Sequence, residues 1–130
     1  DEKLSEIDDQ CDLVVLPGGI PGVPNLKTNS KVQAMVKAQN DRGGYVAAIC
    51  AGPTALGAFG VLADKNATCY PGCEDQLMAK RHSTEPVVVD GNVITSRGVG
   101  TAIEFALKLV EILIDRQTAD DLAEKTVYKR

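Results

Sequence analysis

A cysteine carried by an apolar run into a cluster of small residues is where this sequence first suggests chemistry. In Tyr45-Val46-Ala47-Ala48-Ile49-Cys50-Ala51-Gly52-Pro53 the run ends at Cys50, and a helix can begin within three residues. That places a thiol on a sharp strand-to-helix turn, the geometry that displays the serine of Gly-x-Ser-x-Gly elbows. Small neighbours permit the tight backbone, and the start of the following helix would favour a thiolate. Ligands of open α/β sheets collect at the carboxyl ends of strands, and Pro17-Gly18-Gly19 closes a second apolar run there. Backbone amides of Gly18, Gly19 and Ala51 could then converge on an oxyanion. His82 is the one histidine, the residue type suited to general-base work near neutrality. Its neighbours Lys80, Arg81 and Ser83 make a solvated loop the plainer reading of that position.

A cysteine is more often a small buried hydrophobe than a nucleophile. The elbow lifts Cys50 out of that default, whereas Cys11, Cys69 and Cys73 stay in it. Cys50 is therefore expected to be the most reactive of the four thiols. Cys69-x3-Cys73 with His82 lacks a fourth zinc ligand, and no Cys-x2-Cys pair occurs, so no metal is expected. No Gly-x-Gly-x-x-Gly turn follows a strand, so no nucleotide cofactor is expected either. Gly98 and Gly100 precede a helix and could hold an anion, but such glycines more often serve turns.

These residues need a frame, and 130 residues supply one domain. The composition is globular, 44% apolar and 25% charged, and no run of 18 apolar residues suggests a membrane helix. The net charge of −4 is concentrated at the start, where residues 1–12 hold six acids against Lys3. The rest is nearly neutral, without a basic stripe and with five aromatic residues in all, so nucleic acid is not an expected partner. Sparse cysteine and no secretory signal at the start point to a reducing, cytoplasmic setting. The chain opens on Asp1 rather than Met, which reads as a processed or partial chain.

Asp12–Leu16 and Tyr45–Ile49 are short continuous apolar runs, as in strands buried on both faces of a parallel sheet. Ile20–Leu26, with two prolines and a glycine, reads as loop. Asn29 or Ser30 can cap a helix whose Val32, Met35, Val36 and Gln39 share a face. Pro53 fits the first turn of a small-residue helix through Phe59. Val87-Val88-Val89 and Val93-Ile94-Thr95 flank Asp90-Gly91, which predicts a hairpin. Thr101-x-x-Glu104 reads as a capping box opening a helix with Ile103, Leu107, Val110 and Ile114 on its buried stripe, widened by Leu109, Ile112 and Leu113. A more polar helix runs from Thr118 to about Lys125. Alternating strands and helices predict an α/β layered domain with a parallel sheet.

Three blocks together resemble the DJ-1/ThiJ/PfpI superfamily, and its DJ-1 branch most. They are Asp12-Leu13-Val14-Val15-Leu16-Pro17-Gly18-Gly19, Ala47 through Leu56 around Cys50, and Thr95-Ser96-Arg97-Gly98-Val99-Gly100-Thr101. The resemblance implies a flavodoxin-like three-layer α/β sandwich over residues 1–130 and a homodimer. It implies that Cys50 is the elbow nucleophile facing Gly18 and Gly19. His82, eleven residues after Pro71, resembles the branch's pocket histidine in spacing. The implied activities are cofactor-free glyoxalase chemistry on α-oxoaldehydes such as methylglyoxal and deglycation of glycated protein. A different class is redox sensing by Cys50 oxidation, with chaperone-like protection under oxidative stress. The peptidase-like branch has histidine after its cysteine, where Ala51 stands here, so peptidase activity is not expected.

The family's N-terminal strands, and the glutamate that hydrogen-bonds its cysteine, have no counterpart in this sequence. The resemblance thus implies the C-terminal portion of a longer protein, or a truncated member. Taken alone, such a chain is expected to be weak or inactive beside a full-length parent, because the acid beside the sulfur is lost.

Overall fold

The computed structural model describes residues 2–7 and 10–130, so Asp1, Asp8 and Asp9 of the acidic segment lie outside the described residues. The elements that carry the cysteine elbow form the centre of a four-stranded sheet. Its strands are β1 (Leu13–Leu16), β2 (Tyr45–Ile49), β5 (Val87–Asp90) and β6 (Val93–Ser96), in the order β1-β2-β6-β5. β1 and β6 both pair parallel to β2, with Leu16 opposite Ala48 and Ile49 opposite Ser96. β5 closes the sheet antiparallel to β6. The hairpin turn at Asp90-Gly91 is present, with Gly91 at φ 59°. A smaller parallel pair joins β3 (Asn66–Ala67) to β4 (Arg81–His82). The result is the expected α/β architecture with a mostly parallel sheet.

Five helices flank the sheet: α1 (Gly22–Thr28), α2 (Ser30–Asp41), α3 (Pro53–Ala58), α4 (Ala102–Leu113) and α5 (Arg116–Lys125). Asn29 caps α2 as its residue type suggests, its side chain accepting the Lys31 and Val32 N–H groups at 3.0 Å. Asp115 caps α5 by accepting the Thr118 N–H at 2.7 Å. The central strand β2 is apolar throughout because both its faces are covered. Val46 and Ala48 pack with Leu16, Val36, Leu56, Phe59 and Leu62 on one side. Ala47 packs with Ile94 and Phe105 on the other.

Four readings of the sequence are corrected. Ile20–Leu26 is not all loop, since α1 begins at Gly22. Its prolines are compatible with helix because Pro21 precedes it and Pro24 lies in the first turn, where no intrahelical partner awaits an N–H. β1 is not buried on both faces but lies at the edge of the sheet, with Val15 41% exposed. The Thr101–Glu104 capping box does not form. A 3-10 turn over Val99–Thr101 leads into α4 instead, and the Thr101 hydroxyl accepts the N–H groups of Arg97 and Gly98. The buried stripe of α4 is also rotated toward the flank expected only to widen it. Phe105 and Leu107 are buried, with Leu109 and Ile112 packed on the sheet, while Ile103 and Ile114 are exposed.

Candidate functional site

The elbow after β2 holds Cys50 at φ 67°, a conformation that non-glycine residues seldom adopt. Such strain persists only where the surroundings fix it. The Cys50 N–H donates to the Ser96 carbonyl at 3.1 Å, and the Cys50 carbonyl accepts from Tyr70 N–H at 2.8 Å. The Thr54 hydroxyl donates to the Ala51 carbonyl at 2.6 Å, and the Gly52 N–H to that of Ile49 at 3.0 Å. Every peptide around the cysteine is thus tied to β6, to the segment after β3, or to α3. The thiol is half-buried and free.

The loop after β1 closes over the sulfur. A Cβ built on Gly18 would lie 2.6 Å from the Cys50 Cβ and 3.2 Å from both its Sγ and the Ala51 nitrogen. Backbone therefore approaches the thiol as only glycine allows. Gly18, Gly19, Ile49, Cys50, Gly98 and Val99 line a cavity of about 320 Å³. A neighbouring one of about 420 Å³ is lined by Cys50, Tyr70, Pro71, Arg97 and the Gly98–Thr101 turn. That turn is braced by the Thr101 hydroxyl, which is 2.7 Å from the Ser96 hydroxyl, itself a donor to the Pro86 carbonyl at 2.7 Å.

The structure therefore brings Gly18, Gly19 and Cys50 together around one cavity, with Ala51 N close behind Gly18. It does not bring His82 to them. His82 is exposed on β4, where it pairs with Ala67 and does not line either cavity beside Cys50. The Glu74 carboxyl is held below the usual range first by its own backbone N–H and then by that of Gly72, with Arg97 also contributing. The residues that sequence reasoning passed over are Tyr70 and Arg97. Each stood in a quoted segment, the Tyr-Pro-Gly turn and the Ser-Arg-Gly block, but only the fold folds both toward Cys50. Cys69, Cys73 and His82 do not gather into a metal-binding group, and no cluster of three potential ligands occurs among the described residues.

The family model for the DJ-1/PfpI family matches residues 1–112. The chain belongs to the DJ-1/PfpI family. Within the DJ-1 branch it is 46% identical over 121 residues to the Parkinson disease protein 7 homolog of Danio rerio, covering 91% of this chain and 64% of that protein. It is 41% identical over 104 residues to the glutathione-independent glyoxalase DJR-1.2 of Caenorhabditis elegans, covering 78% of this chain and 55% of the relative. The crystal structure of Drosophila melanogaster DJ-1beta superposes with a TM-score of 0.86 at 39% identity, over 98% of this chain and 68% of that one. The chain thus spans about two-thirds or less of the length of these DJ-1 relatives.

In this DJ-1/PfpI chain the neighbouring thiols differ sharply from Cys50 in surroundings. Cys69 is fully buried, and burial pushes its thiol from 9.0 up to about 11, with the Glu74 carboxylate and Cys73 adding to the rise. At neutral pH the folded protein should leave Cys69 unlabelled by iodoacetamide, as peptide mapping would read. Because its folded value exceeds the unfolded one, this group stabilises the fold below about pH 9 and progressively less as pH rises toward 11. The melting temperature of wild type should therefore fall more steeply between about pH 9 and 11 than that of Cys69→Ala. A wild-type melting temperature as flat as the variant's between those pH values would refute the assignment.

Proposed function

We propose that this chain carries the reacting centre of a cofactor-free, glutathione-independent enzyme of the glyoxalase type, acting on α-oxoaldehydes, with Cys50 as nucleophile. The observation that carries the reading is the strained Cys50 elbow opening into a cavity roofed by the Gly18-Gly19 backbone. The similarity to a C. elegans glyoxalase supports the same class. The Cys50 sulfur adds to the aldehyde carbon, the C=O pair moves to oxygen, and a hemithioacetal forms. The backbone N–H groups of Gly18, Gly19 and Ala51 are the candidate donors for that oxygen. Moving the C1 proton to the adjacent carbon, as the hemithioacetal hydroxyl proton passes to that carbon's oxygen, turns the adduct into a 2-hydroxy thioester, and water releases the hydroxy acid and the thiol. Among the described residues lining the cavities, Cys50, Tyr70 and Thr101 carry S–H or O–H groups, and Thr101 is committed to the turn. His82 stands outside both cavities.

Methylglyoxal consumption without added glutathione, followed with the mass of the Cys50 peptide, tests the reading. Cys50→Ser should lower turnover by about three orders of magnitude or more. It should also abolish the methylglyoxal adduct on this peptide. Turnover that survives Cys50→Ser, or an adduct formed only on Cys11 or Cys73, would overturn it.

A further inference from the structure

The two cavities beside Cys50 are apolar and backbone-lined, with one exception. Among the described residues that line them, Arg97 alone carries an ionic side chain. It is half-buried, and its Nε donates to the Cys69 carbonyl at 3.3 Å. That single bond fixes the plane of the guanidinium and leaves its terminal nitrogens without a hydrogen-bond or ion-pair partner among the described residues. Glu74, whose carboxyl Arg97 helps to lower, turns its carboxylate back to the Gly72 N–H at 2.8 Å and forms no ion pair with Arg97 among the described residues. The backbone of Arg97 is held as firmly, its N–H donating to the Thr101 hydroxyl at 3.2 Å. A planar, oriented fork with free donors at the rim of a neutral cavity matches a carboxylate. An ordinary solvated arginine has neither the fixed plane nor the apolar surroundings.

We propose that Arg97 is a specificity residue that recognises a carboxylate, selecting electrophiles that carry an acid group within reach of the guanidinium when Cys50 attacks. The inference rests on Cys50 being the reacting thiol, as proposed above, but not on the glyoxalase reaction itself. It narrows the substrate class to α-oxoaldehydes that also bear a carboxylate, with neutral ones such as methylglyoxal the poorer ligands. The Tyr70 phenol, at the same cavity, is a second donor for the bound acid.

Two alkylating reagents of nearly equal shape isolate the charge. With either iodoacetate or iodoacetamide the Cys50 sulfur displaces iodide, a C–S bond forms as the C–I bond breaks, and only the carboxylate distinguishes them. The ratio of the iodoacetate rate to the iodoacetamide rate at Cys50 should exceed the ratio for glutathione by about tenfold at low salt. Raising the salt should lower the iodoacetate rate and leave the iodoacetamide rate alone, a readout needing no variant. Arg97→Gln should bring the ratio to that of glutathione, and Arg97→Lys should keep part of the preference because charge remains while the fork is lost. A wild-type ratio equal to that of glutathione, insensitive to salt, would overturn the proposal while leaving Cys50 as the nucleophile. Failure of both reagents at Cys50 would overturn the reading beneath it as well. An unchanged ratio in a folded Arg97→Gln would transfer the preference away from Arg97 and refute the assignment.

Discussion

Gly57→Ala should be among the most destabilising single-methyl changes available in this chain. Gly57 lies in α3, where a Cβ would fall 2.0 Å from the Leu77 carbonyl oxygen, 2.8 Å from its carbon and 3.2 Å from the Gln76 oxygen. The obstacles are backbone atoms, so no rotamer change relieves them. Alanine would gain about 1 kcal/mol of helix propensity over glycine. Overpacking a rigid interior costs about 3 kcal/mol at the upper end of its usual range, and a 2.0 Å approach to a carbonyl belongs there. The net expected loss is about 2 kcal/mol or more, and a fall in melting temperature of about 8 °C or more. Gly22→Ala in α1, where nothing lies within 4 Å of the new methyl, should be close to neutral and serves as the control. A melting temperature for Gly57→Ala within a degree or two of wild type would show that the Leu77 segment yields without cost. The effect reaches the site as well, because that segment follows directly on the Tyr70–Cys73 turn that walls the Cys50 cavity.

What could be read from the sequence depended on whether the signal was local. The β2–Cys50–α3 junction was legible because a short apolar run, small residues and Pro53 all act within a few positions. The Asp90-Gly91 hairpin and the Asn29 cap were legible for the same reason. α1 was missed because prolines were counted as breakers without asking where in the helix they fell. The capping box was a correct local pattern defeated by a longer-range one: the Thr101 hydroxyl is taken by the Arg97 and Gly98 amides, so Glu104 has no cap to complete. The rotated stripe of α4 has a similar origin. Ile103 and Ile114 are as apolar as Phe105, and periodicity cannot say which apolar residues the sheet will cover. At the site, His82 drew notice because it is a histidine, and Arg97 drew none because an arginine beside glycines reads as surface. Their actual positions follow from strand register. β4 pairs with β3 and carries His82 away from the elbow, whereas β6 pairs with β2 and delivers Arg97 beside it.

Gly18→Ala should separate the reactivity of Cys50 from the stability of the fold. The new methyl would meet the Cys50 Cβ at 2.6 Å and press on its Sγ and the Ala51 nitrogen at 3.2 Å. Either the loop after β1 or the elbow must shift by a sizeable fraction of an ångström. The elbow is the more constrained of the two, tied through Cys50 N–H to Ser96 and through its carbonyl to Tyr70. The loop should therefore give way, taking the Gly18 and Gly19 amides with it. Because Gly18 is only half-buried, the stability loss should stay near 1–2 kcal/mol. The chemical loss should be larger, since displacing reacting groups by about 1 Å can lower a rate about a hundredfold. Methylglyoxal turnover is the sensitive measure, because the proposed reaction places those amides at the oxygen of the adduct. Gly60→Ala provides the counterpart: its φ of +80° is strained for alanine, yet nothing lies within 4 Å of the methyl and it lines neither cavity beside Cys50. That variant should lose a comparable amount of stability and keep the wild-type rate at Cys50. If Gly18→Ala retained full turnover, or if Gly18→Ala and Gly60→Ala lost it together in step with their stability, the roof would have no chemical role.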